Sequence, residues 1–346
     1  MKFIIMEAIT FMGFTLKIDK FDEYLNKLGH EYKVYAPVVI KGKGTFANTD
    51  TIRYDEIESI KQVEFKMKST FSPKEIILPI TQTLFYFTED ECTRPKVDEK
   101  KILIFLRSCD IHAMKRLDYV YLKNGDEDCY YKTLRENVKF VLMGCSESFE
   151  NCFCASMESN KTEDYDMYTR IQDDEVFVEC KSEELMNYFN KDKESTLIIE
   201  PEFVSSNEIK VTIPENLDQR VFKSKMWDGY SSRCIACGRC NFVCGTCSCF
   251  TMQDVFSKDN KNVGERRRVW SSCHIDGFSD MAGGHGFRKD KKDRMRFKIM
   301  HKVYDFKKRA GYHMCIGCGR CDDICPEYIS FSSAVNKLNQ VMDEVK

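Results

Sequence analysis

Three features of the sequence predict a mixed α/β domain over residues 1–215, followed by a ferredoxin-like α+β dicluster domain over 216–346. The first is an order of strand, helix, strand: the apolar runs 101–105 (KILIF) and 139–143 (KFVLM) flank a stretch where Ile111, Met114, Leu117, Val120 and Tyr121 recur at helical spacing. The second is a repeat, CIACGRCNFVC at 234–244 returning as CIGCGRCDDIC at 315–325, identical at seven of eleven positions and displaced by 81 residues. The third is uneven cysteine placement. Of 18 cysteines, seven lie between 92 and 180 and eleven between 234 and 325, which puts a boundary shortly before Cys234.

In the N-terminal part, strand, helix, strand is the order of a unit that can build a parallel sheet. The run 196–199 (TLII) reads as a further strand, and 33–54, with Pro37, Gly42 and Gly44, as an extended segment with turns. Residues 207–230, with Pro214, read as the connection between the domains. A chain of 346 residues is long enough for two cores. Its net charge of -2 gives no global attraction to nucleic acid or an anionic membrane.

The N-terminal apolar patch is broken by Lys2, Glu7 and Lys17 and lacks the form of a secretory signal, and no run is long enough to cross a bilayer. The expected location is therefore the cytoplasm, where thiols stay reduced and clustered cysteines point to metal.

Each repeat reads Cys-x2-Cys-x2-Cys-x3-Cys, the bacterial ferredoxin spacing, in which the fourth cysteine ligates the other cluster. The expected ligands are Cys234, Cys237, Cys240 and Cys325 for one [4Fe-4S] cluster, and Cys315, Cys318, Cys321 and Cys244 for the second. Gly238 and Gly319 would let the backbone pass close to the cluster, and the fourth cysteine is expected to start a helix. Pro326 follows Cys325 as the pattern asks, whereas Gly245 follows Cys244, which leaves the helix after Cys244 open. Zinc or free thiols are the rival readings of the eight cysteines. Cys247, Cys249 and Cys273 could serve another metal with His274 or His285, but free thiols packed beside the clusters are the simpler reading.

Cys109 and Cys145 each follow a predicted strand, so both would emerge at the same ends of neighbouring parallel strands, where open α/β sheets place their sites. With Cys152 and Cys154 they make a set of four, and a third [4Fe-4S] cluster is expected on them, although buried free cysteines are the alternative. Asp110 and His112 are read as supporting that site.

Residues 258–309 hold 16 Lys and Arg against 7 Asp and Glu, a basic insertion between the repeats. It is read as docking to acidic partner surfaces and easing the reduction of nearby clusters, with a solvated face and a nucleic-acid contact as alternatives.

RCIACGRCNFVCGTCSCF, RRRVWSSC, GGHGFR, HKVY and CIGCGRCDDICP together resemble the electron-transfer subunits shared by anaerobic sulfite reductases and the beta subunits of soluble sulfhydrogenases. The family form of the third motif is GGHNFR, so Gly286 departs from it. Residues 34–57 and 68–87 look like the iron-sulfur electron-transfer subunit of the three-subunit anaerobic sulfite reductase, and the likeness runs over nearly the whole chain. The resemblance implies a subunit without substrate chemistry of its own. It would relay single electrons from a flavin subunit oxidising NADH or NADPH to a siroheme subunit reducing sulfite to sulfide. The equivalent relay in a soluble hydrogenase is the near alternative, and an iron-sulfur module binding nucleic acid the distant one. No GxGxxG is present, so nicotinamide and flavin would sit on a partner.

Overall fold

The computed structural model describes residues 12–44, 48–96, 100–189 and 197–344. The first eleven residues, with most of the apolar N-terminal patch, lie outside them. Strands β1 (Met12–Lys17), β2 (Tyr32–Ile40), β3 (Thr51–Glu56), β6 (Lys101–Leu106), β7 (Val138–Met143), β8 (Met167–Gln172) and β9 (Glu175–Cys180) form one sheet in the order β1-β9-β8-β7-β6-β2-β3. Its middle strands β2, β6, β7 and β8 are parallel, while β1, β3 and β9 pair antiparallel at the margins.

The near-continuous apolar sequences of β6 and β7 follow from burial of both sheet faces. Alternation divides them: Leu103, Phe105, Val141 and Met143 pack with Phe21, Tyr24, Leu25 and Leu28 of the helix Ile18–Leu28. Ile102, Ile104, Leu106, Phe140 and Leu142 turn to the other face and meet Ile111, Met114 and Leu117 of the helix Ser108–Asp118. The α/β architecture read from the sequence is present, with a layer of helix on each face of the sheet.

Several local expectations change. The segment 33–54 is largely the hairpin β2/β3, with 45–47 outside the described residues. The expected strand at 196–199 is not formed: Thr196 lies outside the described residues, Leu197 makes an isolated bridge to Gly13, and Ile198 is exposed. Residues 207–230 form no free linker. Their Val211, Leu217, Val221, Trp227 and Tyr230 are buried in the C-terminal core with Met295, Ile299, Val303, Val335 and Leu338. That core lies between the helix Lys291–Met300, continued by a π-helical turn at His301–Asp305, and the helix Phe331–Glu344.

A second, antiparallel sheet draws on both sides of position 215. Strands β4 (Thr81–Phe87) and β5 (Cys92–Thr93) come from the N-terminal part, and β10 (Phe250–Phe256) and β11 (Gly264–Trp270) from the C-terminal part, in the order β10-β11-β4-β5. Among the described residues no helix is long and apolar enough to cross a membrane.

Candidate metal centre

In each repeat the chain enters a single helical turn, Arg239–Phe242 or Arg320–Asp323, through a glycine with left-handed backbone: Gly238 at φ 75° and Gly319 at φ 70°. The third cysteine thus lies in the turn, and the fourth follows it. Neither Cys244 nor Cys325 starts a helix, a correction to the sequence expectation: Gly245 and Pro326 lead into turns, and the next helix after Cys325 begins only at Phe331. A second reason for the glycines is packing. A side chain at Gly319 would collide with the carbonyl of Asn151, and one at Gly317 (φ 65°) would place its Cβ 2.5 Å from the carbonyl oxygen of Phe153.

Cys234, Cys237, Cys240 and Cys325 all line one cavity. Cys315, Cys318, Cys321 and Cys244 all line another. In each case the fourth cysteine comes from the opposite repeat. Cys240 and Cys321 border both cavities, which are therefore adjacent. They differ in exposure: Cys237 of the first set is exposed, whereas Cys315 and Cys318 of the second are buried.

Cys109 lies in the first turn of the helix Ser108–Asp118 that follows β6, and Cys145 follows β7, two neighbouring parallel strands in the register Leu106↔Leu142, so both sit at the same end of the sheet. Cys152 and Cys154 join them on a loop: the Cys154 thiol feels both Cys152 and Cys145, and Cys109 feels Cys154. This group abuts the second cavity. Cys109 packs against the small cluster of Ala113, Ile316 and Cys318, the Cys152 sulfur lies 3.5 Å from the Cys318 carbonyl, and the Phe153 amide donates to the Gly317 carbonyl at 2.7 Å. Asp110 is fully buried and accepts two hydrogen bonds from Arg320. His112 instead turns to the Lys161 carbonyl and the Arg116 guanidinium.

Burial pushes the Cys154 and Cys315 thiols up to about 12 and Cys318 up to about 11, and it raises Cys109, Cys145, Cys152, Cys234 and Cys321 as well. Cys244 and Cys321 keep some accessible surface although protein encloses them, and both border the second cavity. Cys244 goes the other way. A hydrogen bond from Cys247 and the nearby Lys302 ammonium lower it well below the ordinary thiol range.

The basic insertion is divided: Arg268, Arg294, Lys298 and Lys302 are buried, whereas Lys258, Lys261, Arg266, Lys289, Lys307, Lys308 and Arg309 are exposed. Lys298 borders both cavities and Lys302 the second. Sequence reasoning missed these two lysines, because spacing of i and i+4 on a helix does not separate a buried cation from a surface one. His274 is buried with its Nε2 unpartnered and borders the first cavity. Of the remaining cysteines, Cys273 accepts from the Asn241 amide at 3.1 Å and hydrogen-bonds to Cys249, pulling the latter down to about 6, while His285 is exposed.

Among the described residues no three His, Cys, Asp or Glu side chains converge closely enough for a single metal ion. A tetrahedral zinc site needs such convergence, whereas a cubane takes one thiolate at each iron and needs its cysteines ranged around a space. The residues fit iron-sulfur clusters on three counts: cysteine-lined cavities, left-handed glycines at the loops, and buried cations beside the sulfurs.

Comparison with known proteins agrees. Residues 233–329 match the family described as 4Fe-4S dicluster domain. The chain is also 30% identical to the sulfhydrogenase 2 subunit beta of Pyrococcus furiosus, over an alignment covering 94% of this chain and 98% of that protein.

Proposed function

The chain belongs to the family of the sulfhydrogenase beta subunits and is an iron-sulfur electron-transfer subunit; from that premise we propose a relay of three [4Fe-4S] clusters on the twelve cysteines of the three sets. The observation that carries the proposal is continuity. The first cavity shares Cys240 and Cys321 with the second, and the second abuts the N-terminal set through Cys318 and Cys152. Each cluster would supply one-electron chemistry, and the protein holds neighbouring centres in a fixed order. The exposed Cys237 marks one end of that order. At the other end Cys145 borders a polar cleft with Arg107, Arg170 and Glu202.

We read the donor as a flavin subunit oxidising NADH or NADPH, and the acceptor as a siroheme subunit reducing sulfite, in the cytoplasm. This rests on the likeness of residues 34–57 and 68–87 to the iron-sulfur subunit of anaerobic sulfite reductase. The sulfhydrogenase relative favours a second reading, the same relay serving a hydrogenase. A shared scaffold does not fix the catalytic partner. Anaerobic purification of the native complex separates the readings. A siroheme absorption band in the co-purifying subunit supports sulfite reduction, nickel there supports the hydrogenase, and NADH oxidation or sulfite reduction by the lone chain would refute the relay.

A further inference from the structure

Two lysines of the helix that crosses behind the ferredoxin loops are buried almost completely, Lys298 at 4% and Lys302 at 3% exposure. Burying an ammonium costs several kcal/mol unless a negative group compensates. Among the described residues neither lysine has a carboxylate partner. Lys302 Nζ donates to Thr246 Oγ1 at 2.7 Å, and that hydroxyl lies 3.4 Å from Cys244 Sγ. Lys298 borders both cysteine-lined cavities, beside Cys240 and Cys321, which also border both. The negative charge these cations face is therefore that of the cysteine sulfurs and whatever the sulfurs hold.

The backbone fixes the pair in place. The helix changes from α to π-helical winding at His301, and such bulges are frequent at functional sites. There the Lys302 carbonyl accepts from the amides of Met314 at 2.9 Å and Cys315 at 3.3 Å. The first cysteine of the second repeat is thus tied to the residue carrying the buried charge. Lys298 lies one turn earlier on the same face, its ammonium 5.6 Å from the centre of the Phe331 ring.

We propose that Lys298 and Lys302 are positioning residues for electron transfer, two fixed positive charges that raise the reduction potentials of the clusters, Lys298 acting on both and Lys302 mainly on the second. The proposal rests on the reading that the eight repeat cysteines hold two clusters. Each electron taken up adds negative charge to a buried site, so a nearby cation favours the reduced state more than the oxidised one. Net charge around a cluster is one of the terms that set its potential. Both lysines lie in the basic insertion, so the electrostatic role expected of that stretch extends to its buried members.

The test is an EPR-monitored redox titration of the full chain, purified anaerobically, after its iron content has been measured. Lys302→Met should keep its iron and shift the second cluster at least tenfold towards the oxidised form, about 59 mV downward for a one-electron couple. The first cluster should move less. Lys298→Met should shift both, and it carries the test alone if Lys302→Met fails to load. Lys298→Arg, which keeps the charge, should stay near the wild-type values. Unchanged potentials in an iron-replete Met variant would overturn the proposal, as would an equal shift in the Arg variant, and both outcomes leave the cluster reading standing. A wild-type chain without two reducible clusters would instead sink that reading.

Discussion

Arg320 and Asp110 form a bidentate ion pair, 2.6 and 2.9 Å long, in which both side chains are buried. Arg320 adjoins Cys321, and Asp110 adjoins Cys109. The pair therefore clamps the second ferredoxin loop to the turn that presents the N-terminal cysteine set. Arg320 also donates to the Ser69 carbonyl and hydroxyl, so its hydrogen-bonding groups are well occupied despite burial.

Removing one partner of a buried pair leaves the other charge uncompensated, at about 3–5 kcal/mol. Asp110→Ala should therefore destabilise the protein by about that much, while Asp110→Leu combined with Arg320→Met should recover most of the loss. Denaturant unfolding of the anaerobic protein reads both. Equal losses in the single and double variants would show that the site needs the ions themselves.

Gly317→Ala should be severe, because a Cβ there would stand 2.5 Å from the Phe153 carbonyl oxygen and prise the N-terminal cysteine loop from the second repeat. Gly311→Ala is the control. It has a similar backbone, φ 85°, but nothing within 4 Å of the added carbon, so it should cost only the left-handed strain. That strain is about 1–2 kcal/mol. Thermal midpoints of the two variants should separate accordingly, and similar midpoints would show that the loop contact is compliant.

Cluster-free protein should lose stability in alkali. The Cys154, Cys315 and Cys318 thiols rise to about 12, 12 and 11 in the fold. A free cysteine titrates near about 8.5. A raised folded value stabilises below the unfolded one, and that contribution disappears as pH climbs through the folded value. The thermal midpoint of the cluster-free form should fall from about pH 8.5 towards 11–12 for this reason. Assembly should also release protons, since ligation needs thiolates. Proton release is read as acidification of a weakly buffered solution during reconstitution, after subtracting the protons that the supplied hydrosulfide gives up, and no excess acidification would mean that the thiols are already ionised.

How much of this was legible in the sequence follows from the range of the interactions. Cysteine spacing is local, and it grouped the cysteines that line each cavity, Cys325 with the first repeat and Cys244 with the second. The short apolar runs at 101–105 and 139–143 reported the two strands, because a run bounded by polar residues is also a local signal. The buried lysines, the Arg320–Asp110 clamp and the sheet joining β4 to β11 depend on contacts between distant segments. A lysine in a charged stretch looks the same whether it faces water or a ring of sulfurs. The helix expected at each fourth cysteine failed because the left-handed glycine starts the helical turn earlier, at the third.

Loading of the N-terminal set should be visible by counting. Three cubanes of four irons give about 12 irons per chain, against about 8 if only the repeats are loaded. Cys152→Ser or Cys154→Ser should remove about four irons and leave the repeat clusters reducible. Wild-type iron near the lower figure, unchanged by either substitution, would return Cys109, Cys145, Cys152 and Cys154 to the role of packed thiols.

The central claim is that each repeat completes the other's cluster, and the EPR spectrum of the reduced, anaerobically purified Cys325→Ser chain tests it most directly. The account predicts loss or alteration of the cluster held by Cys234, Cys237 and Cys240, while the signal of the cluster on Cys315, Cys318 and Cys321 persists. Loss of the second-repeat signal with the first intact would show that the ligands do not cross.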